Sequence, residues 1–138
     1  MEIVLLGARH LGASQGEIRQ WLEAVVAALA PAARSLGVKL SGDRAMRTLN
    51  RERRGKDKTT DVLSFPGGET PEGYHLGDIV ISLPQARRQA EAAGHTLGRE
   101  LRVLLLHGLL HCLDYDHETD EGEMERLEKR LRRRWLDA

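Results

Sequence analysis

His107-Gly108-Leu109-Leu110-His111-Cys112-Leu113-Asp114-Tyr115-Asp116-His117 is the stretch around which the chain is organised, because it carries three imidazoles that ordinary packing does not call for. Leu101 to Leu113 is apolar apart from Arg102 and the histidines and contains no proline, which predicts a helix buried over most of its circumference. On such a helix His107 and His111 lie one turn apart on one face, where their rings can converge on a single ion at about 2.0–2.1 Å. A third ligand from the next turn would not give a roughly tetrahedral site, so the chain should leave the helix and swing back before His117. Asp114 stands where that exit begins, and aspartate tolerates the left-handed conformation that many helix ends require. One histidine would be read as a core or solvated residue; three at this spacing point to a metal. Zinc leads, and neutral imidazole also suits copper, nickel and iron. Three protein ligands leave a tetrahedral position open, as catalytic zinc sites do and structural sites do not.

Outward from that helix, the composition sets bounds. The 138 residues fit one domain, residues 1–138, with a single modest core. Lysine plus arginine and aspartate plus glutamate number 21 each, so no global field attracts nucleic acid, and any RNA affinity has to come from a local patch. One cysteine excludes an internal disulfide; with no secretory leader pattern at Met1, the expectation is a reducing cytoplasm. Cys112 lies about 100° round the helix from His111, which predicts burial rather than metal ligation.

Ile3-Val4-Leu5-Leu6 predicts a strand ending at Gly7. Ser14-Gln15-Gly16-Glu17 has a capping-box pattern, and Ile18, Trp21, Leu22, Val25, Val26 and Leu29 follow at helical spacing, so a helix is expected from about 14 to 31, with Trp21 as a core anchor. Gly37 is expected to close that region ahead of a short strand, Val38 to Ser41. Asp43 is expected to cap a second helix with Met46 and Leu49 inward.

The end of that helix runs into Leu49-Asn50-Arg51-Glu52-Arg53-Arg54-Gly55-Lys56-Asp57-Lys58-Thr59-Thr60-Asp61-Val62-Leu63-Ser64-Phe65-Pro66, whose first ten residues concentrate positive charge at Arg51, Arg53, Arg54, Lys56 and Lys58. Taken alone it reads as a solvated helix end and turn. Val62 to Phe65 predicts a strand, Pro66 to Gly73 a mobile surface loop, and Leu76 to Ser82 a strand covered on both faces. Ser82 to Gln85, with Pro84 inside, opens a helix that Gly94 ends. Thr96 begins the histidine helix, and His95 before it is read as a capping or surface residue. After the last histidine, acid at the front and base at the back predict a C-terminal helix with Met124, Leu127, Leu131, Trp135 and Leu136 inward. Its Arg132-Arg133-Arg134 run is explained by the helix dipole before RNA is needed. These elements give an α+β domain: one small mixed sheet of about four strands packed with about five helices, the metal site at the end of a buried helix.

The histidine spacing is shared with the metzincin proteases, which carry a glutamate general base directly after the first histidine; here that position is Gly108, so a protease reading loses its base. The run resembles more closely the signature H-G-x-L-H-L-x-G-Y-D-H of the YbeY family, the single-strand-specific endoribonucleases also called rRNA maturation factors. Cys112 stands where leucine is usual and Asp114 where glycine is usual. The arginine-rich stretch is similar to that family's L-N-x-x-Y-R-x-K-D-x-P-T-D-V-L-S-F, with Arg53 for the usual tyrosine and Thr59 for the usual proline. Leu76 to Ser82 is similar to its L-G-D-I-x-I-S. The resemblance implies metal-dependent cleavage of single-stranded RNA linked to 16S rRNA processing and ribosome quality control. It implies His107, His111 and His117 as zinc ligands and Arg54 as a catalytic residue. Its partners would be single-stranded RNA or rRNA and the ribosome or ribosomal proteins, with neither membrane nor DNA.

A guanidinium at position 54 suits the role, since it can make two hydrogen bonds to a phosphate and stabilise charge growing in a phosphoryl transition state. Asp116 is either an orienting partner for a ligand ring or a surface residue, and no general base is identifiable. Two other readings use the same residues: a metallohydrolase of a peptide or small phosphoester, and a non-catalytic ribosome-assembly factor in which the ion staples the helix exit.

Overall fold

Strand β1 (Glu2–Leu6) takes the first apolar run and pairs in parallel with β2 (Ala33–Ser41), the two joined by helix α1 (Ser14–Leu29). These assignments come from a computed structural model that describes residues 1–8, 11, 14–116 and 118–137. Helix α2 (Asp43–Arg54) follows, then the hairpin β3 (Val62–Thr70) and β4 (Gly73–Ser82), then α3 (Leu83–Ala93), α4 (Leu97–Cys112) and α5 (Glu123–Trp135). Four strands form one mixed sheet in the order β1-β2-β4-β3, in which only the β3–β4 pair is antiparallel. The architecture is the expected α+β arrangement.

Strand β4 is covered on both faces. Ile79 and Ile81 of β4 join the main core, which packs Leu22, Val25 and Val26 of α1 against Leu101, Leu105 and Leu109 of α4. Val80, pointing the other way as strand alternation requires, joins Met46 of α2 and Leu63 of β3 in a smaller cluster. Among the described residues no helix is long and apolar enough to cross a membrane.

Four expectations change. The segment 66–73 is a strand and a tight turn rather than a loop: β3 runs through Pro66 to Thr70, with Pro66 opposite Gly77 and Thr70 opposite Gly73. The reason is position, because β3 is an edge strand and its proline removes a ladder donor that an edge can spare. Gly37 lies inside β2 rather than before it, and a Cβ there would sit 2.2 Å from Oδ1 of Asp78 on the neighbouring strand. Helix α1 stops at Leu29, short of Pro31. Asp43 is the first residue of α2 rather than its cap; its carboxylate accepts from the Ser82 hydroxyl at 2.6 Å and from Arg88 at 2.7 Å, tying α2 to the start of α3.

The readings of the α3 and α4 ends and of Trp21 hold, and that of His95 does not. The Ser82 side chain caps α3 by accepting from the Gln85 N–H at 3.2 Å, and Gly94 ends that helix at φ 71°. Thr96 caps α4. Trp21 is half-buried at the edge of the core and donates its indole N–H to the Trp135 carbonyl at 2.9 Å. His95 is neither cap nor plain surface, since its Nε2 lies 2.5 Å from the carboxylate of buried Glu100.

Candidate metal centre

Helix α4 reaches the sheet closely enough to be the floor of a site because residue 108 has no side chain. A Cβ on Gly108 would meet Ile79 Cγ2 and Ser64 Oγ at 3.0 Å, so a glutamate in the protease position has no room against β3 and β4. Position 108 therefore faces the core while His107 and His111 face outward.

The helix leaves as expected, through a left-handed aspartate. Asp114 has φ 70°, the only positive value among described non-glycine residues. The Asp114 N–H donates to the His111 carbonyl and the Tyr115 N–H to the Leu110 carbonyl, each at 3.0 Å. That pairing is the Schellman closure of a helix end. It also delivers the Tyr115 carbonyl to the ring of His111, whose Nδ1 stands 2.9 Å away. A carbonyl can only accept, so Nδ1 donates, and in the neutral ring Nε2 is then the nitrogen with the free lone pair. His107 is set in the same sense from another direction, because Glu128 of α5 holds its Nδ1 at 2.6 Å.

The two Nε2 atoms face each other at 3.0 Å. With both Nδ1 positions protonated they present lone pairs to a common point, which a shared cation reconciles. Two nitrogens on a tetrahedral zinc at the usual bond length stand about 3.3 Å apart, so the pair needs little movement to serve as ligands. His117, the third predicted ligand, lies outside the described residues.

A cleft of about 680 Å³ runs past these rings and over the outer edge of β3, lined by His107, His111 and Tyr115 and, from the end of α2, by Arg53 and Arg54. Three of the four predicted site residues thus share one cavity. Arg54 is exposed in the last turn of α2, which Gly55 ends in a left-handed conformation at φ 69°. Arg47 and Arg51 of the same helix are engaged by Asp57, Arg47 through two hydrogen bonds at 2.9 and 3.2 Å. The buried Asn50 side chain donates to the Lys58 carbonyl at 2.9 Å and pins the turn between α2 and β3. A second cavity of about 710 Å³, at the carboxyl ends of β1 and β2, contains none of the predicted residues.

The sequence left the role of Asp116 open and missed one residue. Asp116 does not hold the Nδ1 of either described histidine; its carboxylate accepts from the Glu118 N–H at 2.9 Å and shapes the loop. Glu128 takes the orienting role at His107 and was legible only indirectly: it shares the inward stripe of α5 with Met124, Leu127 and Leu131, where a carboxylate is out of place. Cys112 is buried, and burial together with the Asp78 and Asp114 carboxylates pushes its thiol up to about 12. It carries no thiolate at neutral pH for a metal or a substrate.

Residues 9–135 match the family model described as Endoribonuclease YbeY. A protein named Endoribonuclease YbeY from Solibacter usitatus is 54% identical over 93 residues, covering 67% of this chain and 60% of its own length. One of that name from Aquifex aeolicus is 44% identical over 124 residues, covering 89% of this chain and 82% of its own. The chain therefore spans rather less than two thirds of the Solibacter relative and most of the Aquifex one. The solution structure of TM1509 from Thermotoga maritima superposes with a TM-score of 0.65 at 26% identity, covering 98% of this chain and 89% of that one. A family match that runs from before α1 to the end of α5 leaves one assignment: this chain belongs to the Endoribonuclease YbeY family.

Proposed function

We propose that this protein is a zinc-dependent, single-strand-specific endoribonuclease of the cytoplasm, acting in 16S rRNA maturation and ribosome quality control. Its substrate is single-stranded RNA, and the ribosome or ribosomal proteins are its partners. The observation that carries the reading is the convergence of the His107 and His111 Nε2 atoms, 3.0 Å apart, in a cleft that also takes Arg54.

In this reading His107, His111 and His117 hold the ion. When bound, zinc would supply Lewis acidity that lowers the pKa of water toward roughly 7 and polarises a phosphate oxygen. The chain supplies the rest. Glu128 and the Tyr115 carbonyl each accept from an Nδ1–H and so orient both described rings with Nε2 as the nitrogen offered to a metal. Arg54 grips the scissile phosphate with its planar fork and offsets the charge that grows on the phosphoryl oxygens. With position 108 closed against the sheet, a peptidase base directly after the first histidine has no place, which favours RNA over peptide.

The test is Arg54→Ala. Metal content should match the wild type, while turnover of single-stranded RNA falls by roughly 10²–10³, the usual cost of losing one transition-state donor. Turnover equal to the wild type would remove Arg54 from the chemistry, and casein hydrolysis suppressed by chelator would replace the RNA reading with a peptidase.

A further inference from the structure

Arg53 and Arg54 are adjacent in the last turn of α2 and both line the cleft, yet their surroundings differ. The Arg53 guanidinium lies over the Phe65 ring, 5.4 Å from its centroid. Phe65 packs in turn against the Met46, Leu63 and Val80 cluster beneath the sheet. One end of this stack is anchored in a core and the other, Arg53, is exposed at the cleft. A guanidinium held over an aromatic ring has lost part of its side-chain freedom, and its own plane is a surface on which a nucleobase can stack. Tyr115, one of the few large apolar side chains exposed among the described residues, lines the same cleft.

We propose that Arg53, backed by Phe65, is a stacking platform for one unpaired nucleobase of the substrate, next to the phosphate that Arg54 grips. The assignment rests on the endoribonuclease reading and gives it a physical basis for single-strand preference. A base paired within a duplex cannot turn its face to the platform, whereas an unpaired base can at little cost. The two arginines divide the work: residue 54 contributes charge and a fork, residue 53 contributes a plane.

Charge and planarity are separated by three variants of the full chain, Arg53→Ala, Arg53→Lys and Arg53→Tyr. Binding is read by fluorescence anisotropy with a phosphorothioate-protected 12-nucleotide single strand, and with the same strand carrying abasic positions in turn. Arg53→Ala and Arg53→Lys should weaken binding of the intact strand roughly tenfold, the scale of one base stacked on a side chain, and Arg53→Tyr should keep most of it. One abasic position should weaken wild-type binding to a similar degree, and there Arg53→Ala should add no further loss. Tight binding by Arg53→Lys with weak binding by Arg53→Tyr would make the residue a phosphate contact and overturn the platform. So would a wild type indifferent to every abasic position, or one that does not bind the strand. Normal base-dependent binding without cleavage of unprotected RNA would instead sink the nuclease reading and leave the platform standing.

Discussion

At the scale of single residues, the site depends on which ring nitrogen carries the proton. The Tyr115 carbonyl and the Glu128 carboxylate settle that for His111 and His107, and Glu128 is itself half-tethered by Arg132 at 3.4 Å. Glu128→Ala should leave both histidines in the chain but lower metal affinity roughly 10- to 100-fold, the usual effect of removing a partner from a ligand ring. Competition against a chromophoric chelator measures this directly. Affinity equal to that of the wild type would mean that packing alone orients His107. The contrast between Glu128 and Asp116 also shows where reading by spacing stops. Asp116 is one residue from a ligand position and could be read as an orienting or a surface residue, whereas Glu128 arrives from a helix 21 residues away. Its only trace in the sequence is a charge on an apolar stripe.

At the scale of elements, helix α4 had to approach the sheet closely enough to set its histidines beside the cleft over β3. Gly108→Ala gains helix propensity of up to about 1 kcal/mol but pushes a methyl into Ile79 and Ser64, an overpacking cost of about 1–3 kcal/mol. The cost should win, and thermal unfolding should show a midpoint lowered by a few degrees; an unchanged or raised midpoint would mean that the helix shifts freely. A second junction gives a pH signature. Ser82 and Arg88 hydrogen-bond the Asp43 carboxylate and hold it below its ordinary value of 3.8. A folded-state value below the unfolded one gives stability that is complete above 3.8 and lost as pH falls through the depressed value. Asp43→Asn should therefore unfold at lower temperature than the wild type at neutral pH, with the gap narrowing under acid. A gap that stays constant with pH would assign the difference to packing. Legibility at this scale followed the strength of local signals. The caps at Ser82, Thr96 and Gly94, the alternation around Val80 and the left-handed exit at Asp114 were all readable. The β3–β4 hairpin was not, because Pro66 and the neighbouring glycines look like a loop until the strand is known to lie at an edge.

At the scale of the whole molecule, a chain with no net charge can act on RNA, as proposed, only through a surface built locally. The sheet order makes this possible. With β3 at the edge, the end of α2 on one side and the histidine face of α4 on the other open onto one cleft, so residues from distant parts of the chain meet there. The family was legible in one short motif, while the meeting of His107 and His111 with Arg53 and Arg54 depended on a strand order that no local pattern reveals. The central claim is a metal-dependent RNA hydrolase built on His107, His111 and His117. It is tested most directly by elemental analysis paired with cleavage of single-stranded RNA, on wild type and His111→Ala purified without added metal. The account predicts about one bound transition metal and cleavage in the wild type, and the loss of both together in the variant. A variant that keeps its full metal, or a metal-free wild type that cleaves RNA undiminished, would contradict it.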